Sequence, residues 1–150
     1  MMNEQMDQGG GVEAEMSRLN LLPFVAATYG NLGEFDRGFA ALNQWLEVRN
    51  KYSTRGVDTL YCRIRGELQL RAGSVEDAKQ TLRQAIQLSA SQSAKMEQLR
   101  ATMPLAQLLA NQGKRDEARA MLAEIYNWFT EGLDTADLRD AKALLDELNA

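Results

Sequence analysis

The sequence predicts an all-α fold, and three observations support that prediction. From Glu13 onward Ala, Leu, Gln, Glu and Arg dominate the chain, and all of them favour helices. Apolar residues recur at three- and four-residue spacing, which is the period of one helix face. β-branched residues are sparse, and no stretch alternates polar and apolar residues as a half-buried strand does.

Seven helices are expected after a polar amino-terminal stretch. Residues 1–12 include three consecutive glycines and show no periodicity, so we expect a disordered arm there. Residues 13–150 form the helical domain. Its helices are predicted at 14–31, 35–51, 56–72, 75–91, 94–112, 115–130 and 135–148.

Two prolines interrupt the helical pattern. Pro23 is expected in the first turn of its helix, where the missing N–H costs little. Pro104 lies within the predicted fifth helix. That helix is therefore either kinked at the proline or begins near Met103, with 94–101 as a separate turn.

Glycines mark the ends of the first, third and fifth helices. Gly33, Gly73 and Gly113 stand where a left-handed backbone closes a helix, a conformation that favours Gly. Acidic residues follow each Gly and suit the positive end of the next helix. Ser74 and Thr135 are the expected N-caps of the fourth and seventh helices.

These glycines are 40 residues apart, and small residues repeat with them. Before the turns stand Ala26, Gly66 and Ala106, and after the turns stand Gly38, Ala78 and Ala118. Small residues on both sides of a turn let two antiparallel helices approach closely. A period between about 20 and 50 residues indicates stacked helical hairpins. The alternative is a plain seven-helix bundle with accidental spacing.

The predicted architecture is a right-handed α-α superhelix of three helical hairpins and a carboxyl-terminal capping helix. The repeats span approximately 19–54, 55–94 and 95–133, and the capping helix spans 135–148. The amino-terminal end has no comparable cap. We therefore expect the exposed end helix to pair with a second copy and form a homodimer.

The spacing of small residues resembles the tetratricopeptide repeat. That family places a small residue, a Gly and an Ala at three fixed positions of a repeat of about 34 residues. Ala26, Gly33 and Gly38 would occupy these positions in the first repeat. The period here is longer, and the position that is aromatic in the family holds Leu, Cys and Thr in the three repeats.

Two segments resemble a more specific family of bacterial regulators. These are LYCRIRGELQL, from Leu60 to Leu70, and YNWFTEGLDTADL, from Tyr126 to Leu138. They look like the tetratricopeptide-like carboxyl-terminal region of ATPase-linked transcriptional regulators and adenylate-cyclase-type regulators. The resemblance implies a sensor or scaffold region, because this chain has no G-x-x-x-x-G-K-[ST] phosphate-binding loop.

The tetratricopeptide resemblance also implies a groove lined by the first helix of each hairpin. Its ligand-facing positions would be Asn31, Arg63, Glu67, Arg71, Arg100, Met103, Gln107 and Asn111. Arginine suits the bidentate capture of carboxylate or phosphate, so an acidic peptide tail or a small anion is one expected ligand. The alternative is a solvated face on which Arg63 and Glu67 form an i,i+4 ion pair.

The aromatic residues are interpreted mainly as core. Trp128 and Phe129 are expected to pack the last hairpin onto the closing helix, and the alternative is an anchor for a partner. Four aromatics are expected in the core of the first repeat, namely Tyr29, Phe35, Phe39 and Trp45.

Composition excludes several functions. The chain has no His and a single Cys, Cys62, so a Ser-His-Asp triad, a His-ligated metal and an internal disulfide are excluded. Cys62 is expected to be a small core residue. The net charge of −4 argues against direct nucleic-acid binding. No apolar run reaches the roughly 18 residues of a membrane span, and no signal peptide is evident.

We therefore expect a cytoplasmic, non-catalytic scaffold that binds a protein or peptide in its groove and needs no metal or cofactor. The alternative, which follows from the regulator resemblance, is a ligand-sensing or regulatory fragment of a larger ATPase-coupled transcriptional or cyclase regulator. An enzyme is disfavoured because the chain offers few nucleophiles or bases.

Overall fold

The computed structural model describes the backbone of residues 2–52 and 57–150, and the side chains within 11–52 and 59–150. In these ranges the chain forms seven α-helices and no strand, which confirms the all-α fold class. The helices are α1 (Met2–Asn31), α2 (Phe35–Tyr52), α3 (Val57–Arg71), α4 (Val75–Ser91), α5 (Lys95–Asn111), α6 (Arg115–Tyr126) and α7 (Ala136–Asn149). The expected boundary between the first two repeats, at 54–55, lies outside the described residues.

Predicted and observed helix bounds agree to within one residue except at the start of α1 and the end of α6. α6 ends at Tyr126, although the sequence predicted a helix to residue 130. The N–H groups of Trp128 and Phe129 donate to carbonyls three residues earlier, at 3.2 and 3.1 Å. These tighter bonds close the last turn, and Gly132, with φ of +67°, follows in the connection to α7.

The backbone of α1 differs from the expectation in two respects. It includes residues 2–12, where the sequence predicted a disordered arm. Extending a helix that is already nucleated costs much less than starting one, which accounts for helix in a polar, glycine-containing segment. Pro23 lies in the interior of α1 and not in a first turn. It is buried, so packing contacts offset the backbone bond that it cannot donate.

α5 is continuous and contains Pro104, so the alternative of a helix that begins near Met103 is wrong. Pro104 has no N–H to donate to the carbonyl of Arg100, four residues earlier. Leu105 and Leu109 of the same helix are fully buried. Their burial holds α5 together across the missing hydrogen bond.

Four helix ends share one type of turn. Gly33, Gly73 and Gly113 adopt φ angles of +75°, +89° and +82°, as the sequence predicted. The end of α4 uses the same turn, but there Ser93 takes the left-handed position with φ of +56°. In all four turns the N–H after this position donates to the carbonyl five residues earlier, at 2.8 to 2.9 Å. This is the Schellman pattern that closes a helix.

Ser93→Gly is expected to stabilise the protein. The left-handed conformation is strained for a residue that has a Cβ and is not strained for Gly. We therefore expect the substitution to raise the free energy of unfolding by about 0.5–1 kcal/mol. Urea unfolding followed by circular dichroism measures this gain. Ser91→Gly, in the last turn of α4, is the matched control and should destabilise. Equal effects of the two substitutions would contradict the prediction.

Ser74 and Thr135 lie at the predicted N-cap positions of α4 and α7. Neither side chain makes a capping hydrogen bond, so the predicted side-chain capping is wrong at both positions. The backbone supplies the first bond of α4, because the N–H of Ala78 donates to the carbonyl of Ser74 at 2.9 Å.

The helices pack as sequential pairs that are joined in a row. α1 packs on α2, α3 on α4, and α5 on α6, while α7 packs on α6 and α5. The backbones of successive odd-numbered helices approach one another, from α1 to α3, α5 and α7. Across the described ranges, the backbones of the even-numbered helices do not approach one another as closely. α4 and α6 are connected through side chains, by a 3.3 Å ion pair between Arg83 and Glu117. The odd-numbered helices therefore share one continuous side of the molecule.

The small residues of the repeat lie where helices approach most closely. Ala26, Ala78, Ala106 and Ala118 are fully buried. A Cβ atom on Gly38 would lie 3.0 Å from Leu68 Cδ2 and 3.4 Å from the carbonyl oxygen of Ala26. A Cβ on Gly66 would lie 2.8 Å from Leu82 Cγ. Larger side chains at these positions would therefore push the helices apart.

Two apolar clusters form the core. In the amino-terminal cluster Trp45 is 1% exposed and meets Tyr61 edge to face, with ring centroids 5.5 Å apart. Phe35 and Phe39 are partly buried against this cluster. The carboxyl-terminal cluster joins α5, α6 and α7 around residues such as Leu122. None of the helices in the described ranges is long and apolar enough to cross a bilayer.

Cys62 is buried in the amino-terminal cluster, where the sequence placed it. Burial raises the pKa of its thiol, because desolvation disfavours the thiolate, and Arg49 and Arg65 oppose this effect. The thiolate is the reactive form of cysteine. The side chain therefore serves packing.

Candidate functional site

The predicted ligand-facing residues lie on the odd-numbered helices, and all except Asn111 line adjoining depressions of one surface. We call this surface the odd-helix face. Asn31 comes from the end of α1, and the others come from α3 and α5. The face is formed by Asn31, Arg63, Glu67, Arg71, Arg100, Met103, Gln107 and Asn111, together with the residues of α7 opposite α5.

The first depression lies between α1 and α3. Its floor is formed by small and apolar residues, including Ala27 and Gly30. At its rim the guanidinium of Arg71 donates to the side-chain oxygen of Asn31. Glu67 lines both this depression and the next one, so the two are continuous.

The central depression lies between α3, α5 and α7 and has a volume of about 310 Å³. Its lining combines apolar Leu99, Met103 and Pro104 with charged side chains. The charged members are Arg63, Glu67, Arg100, Asp137 and Asp140. The arrangement offers a shallow, mixed surface and no enclosed cavity, which suits a peptide backbone or side chain better than a small apolar ligand.

A chain of ion pairs crosses the central depression. Arg63 donates to Glu67 at 3.3 Å and to Glu97 at 3.0 Å. Arg100 donates to Glu97 at 3.1 Å and to Asp137 at 3.0 Å. The hydrogen bonds that Arg100 donates to Asp137, and secondarily to Glu97, hold its pKa above the usual value. Alternating charges thus connect α3, α5 and α7.

This network changes the interpretation of the two central arginines. The i,i+4 pair between Arg63 and Glu67 is formed, and each of Arg63 and Arg100 already contacts two carboxylates. An incoming anion would have to displace these carboxylates and meet their repulsion. The expected capture of an acidic tail by Arg63 and Arg100 is therefore disfavoured. Arg71 donates instead to the neutral side chain of Asn31, and this contact leaves the charge of Arg71 available.

The third depression lies between α5 and α7. Gln107 Nε2 donates to Asn111 Oδ1 at 3.3 Å, which orders the two side chains on α5. From α7 come the apolar Leu144 and the acidic Asp140 and Glu147. Met103 lines both this depression and the central one, so all three form one continuous surface.

Sequence reasoning missed Glu97 and Asp137. Each contacts an arginine on the preceding odd-numbered helix, more than 30 residues earlier in the chain. Their position relative to those arginines depends on how the helices stack. The only sequence signal was their own 40-residue separation, which matches the repeat.

Trp128 and Phe129 have different environments, although both were expected to pack the last hairpin. Phe129 is partly buried against the carboxyl-terminal cluster, as expected. Trp128 is 57% exposed, so the packing prediction is wrong for it. Their rings meet edge to face, with centroids 5.2 Å apart, and Trp128 lies on the solvent side of that contact. Lys95 Nζ lies 5.6 Å from the centre of the Trp128 ring, in a cation–π contact.

Searches for similar proteins give no further information on this surface. No family model, no curated protein and no solved structure matches the chain. Within the described ranges, no group of three or more Cys, Asp or Glu side chains could hold a metal ion. The function therefore has to be argued from the geometry of the odd-helix face.

Proposed function

We propose that the chain is a non-catalytic scaffold that binds a protein or peptide along the odd-helix face. One observation carries the proposal. Residues of α1, α3 and α5, separated by steps of about one repeat, line three adjoining depressions of one surface with α7. An extended segment can contact successive helices on such a surface, and repeat proteins use their continuous faces in this way.

The proposal includes a right-handed superhelix of three hairpins closed by α7, as in tetratricopeptide-like solenoids. In the described ranges, successive odd-numbered helices approach more closely than successive even-numbered helices. This difference supports a superhelix, because the side of a stack on which the helices lie closer together is its inner, concave side. The left-handed turns at Gly33, Gly73 and Gly113 repeat at a fixed interval and support the same arrangement. The odd-helix face is then the concave groove.

The ordered polar side chains favour a polypeptide ligand. Carboxylates hold the guanidinium groups of Arg63 and Arg100 in place, and Gln107 is held by Asn111. Held side chains lose little conformational entropy when a ligand binds. Met103, shared by two depressions, supplies an apolar contact at the centre. We propose a cytoplasmic location and a protein or peptide partner, not nucleic acid or membrane.

Gln107→Arg tests the proposal. The exposed side chain lies in the third depression, so the substitution blocks the surface and leaves the core intact. Peptides selected from a random library against the whole chain are titrated into isotope-labelled protein, and amide shifts are followed by NMR. We expect shifts on α3 and α5 in the wild type. Binding should be at least about tenfold weaker in the variant.

Gln84→Arg is the matched control, because Gln84 is exposed on α4, away from the odd-helix face. It should leave peptide affinity unchanged. Equal losses in both variants, or shifts confined to the even-numbered helices, would reject the proposed groove. A hydrolytic activity that is lost in Glu67→Gln would reject the non-catalytic role.

A second candidate function is a regulatory region of a larger ATPase-linked regulator. The exposure of Trp128, in the segment that resembles that family, favours it, since an exposed aromatic can contact another domain. A reading frame that continues upstream into a nucleotide-binding module would support this candidate. A frame confined to these residues would favour the stand-alone scaffold.

A further inference from the structure

An exposed apolar stripe runs along one face of α1. Its exposed fractions are 61% for Leu21, 71% for Phe24, 39% for Val25 and 68% for Leu32. Leu21, Phe24, Val25 and Thr28 lie on one side of α1, and Leu32 directly follows its last residue on the same side. We call them the α1 stripe. The opposite face of α1, with Leu19, Leu22 and Ala26, is buried in the amino-terminal cluster.

The other repeats show that this face is covered when a helix precedes it. Tyr61, Ile64 and Leu68 of α3 lie 40 residues after Leu21, Phe24 and Thr28, and they are 7%, 6% and 2% exposed. They are buried where α3 packs on α1 and α2. No helix precedes α1 in the described ranges. Leu21, Phe24 and Thr28 therefore belong to a packing surface of the same kind, which no helix covers in the described ranges.

The other end of the helix row is different. The exposed residues of α7 are mostly charged. They include Arg139, Asp140, Lys142, Asp146 and Glu147. The exposed face of α7 itself is therefore polar, and the exposed Trp128 and Leu133 lie in the connection before it. Contiguous exposed apolar surface marks an interaction site, so the amino-terminal end is the one built for contact.

We propose that a second copy of this chain covers the α1 stripe in a two-fold symmetric dimer. An antiparallel pairing of the two α1 helices, centred next to Phe24, places each Phe24 beside its own copy. In the same pairing Leu21 meets Val25, and Leu32 meets Ala14. In this pairing apolar side chains of one copy therefore meet apolar side chains of the other, as a two-fold interface requires.

The available area suits such a dimer. From Ala14 to Asn31 the helix runs about 26 Å. The four exposed apolar side chains supply roughly 400 Å² per chain. This is about half of the roughly 800 Å² per partner that a specific interface buries, and exposed flanking residues of α1, Ser17 and Arg18 among them, supply the rest in the proposed pairing. The side chain of Glu15 is bound by Lys51 and Tyr52, at 3.0 and 2.5 Å. These bonds fix α1 against α2 before the copies meet.

Phe24→Glu tests the proposal, since the side chain is exposed and its replacement leaves the core intact. Light scattering coupled to gel filtration, across the micromolar range, should return twice the 16.8 kDa of one chain for the wild type. Two buried carboxylates at the two-fold axis should weaken self-association by about a hundredfold or more, so the variant should return a monomer mass. Circular dichroism should show the same helix content in both.

Leu133→Glu is the control, because Leu133 is 45% exposed in the connection before α7, away from the stripe. It should remain a dimer. A monomeric wild type at all concentrations would overturn the proposal and leave the stripe to a preceding hairpin of a longer chain. A dimer that survives Phe24→Glu, or that Leu133→Glu disrupts equally, would also overturn it.

Discussion

An Ala118→Arg chain should be strongly destabilised. Ala118 is fully buried in the carboxyl-terminal cluster, where α6 packs on α5. Arginine there either buries a charge without a partner or forces the two helices apart, and we expect a loss of about 4 kcal/mol or more in the free energy of unfolding. A small domain is stable by only about 5–15 kcal/mol, so this loss removes at least about a quarter of its stability.

The control for this prediction lies two residues further along the same helix. Ala120 is exposed, and Ala120→Arg should change the free energy of unfolding by less than about 0.5 kcal/mol. Chemical unfolding followed by circular dichroism gives both values. Ala78→Arg, one repeat earlier and equally buried, should behave like Ala118→Arg. Wild-type melting of either core variant would show that the repeat register is wrong.

Trp45→Ala should have the second largest effect, in the other half of the protein. Trp45 is 1% exposed at the centre of the amino-terminal cluster, in edge-to-face contact with Tyr61. Truncation leaves a large cavity and removes the aromatic contact, so we expect a loss of about 3–5 kcal/mol in the free energy of unfolding. Urea unfolding followed by circular dichroism measures it.

Two further substitutions make this prediction specific. Trp45→Phe should cost less than about 1.5 kcal/mol, because it keeps the aromatic ring and removes an indole N–H that lacks a hydrogen-bond partner within the described ranges. Trp128→Ala removes the exposed tryptophan and should cost less than about 1 kcal/mol. If Trp45→Ala were no more costly than Trp128→Ala, the amino-terminal cluster would not be a packed core.

Most of the helix ends could be predicted because local chemistry determines them. Gly33, Gly73 and Gly113 predicted their turns, since a left-handed backbone is far easier for Gly than for other residues. Ser93 takes the same conformation without that signal, because helix packing on both sides of the turn imposes it. The interior Pro23 could not be placed for a related reason, since tertiary contacts outweigh the local preference of proline for a first turn.

The odd-helix face could be predicted only in part. The repeat register placed residues of three helices on one surface, and those residues do line adjoining depressions. The charge balance of the surface could not be predicted in the same way. Glu97 and Asp137 neutralise Arg63 and Arg100 across helix boundaries, which depends on interhelical distances that a sequence does not contain. The two central arginines, which the sequence offered for anion capture, are therefore paired within the protein.

The sequential packing of the helices has a consequence for how the chain folds. Each helix packs on neighbours that are close in sequence, from α1 with α2 through to α6 with α7. Such a protein has a low contact order, and little loop-closure entropy has to be lost before the first stabilising contacts form. A single hairpin, such as α3 with α4, can serve as a nucleus, and neighbouring hairpins then add to it in either direction. Folding is accordingly expected in the microsecond-to-millisecond range typical of helical proteins.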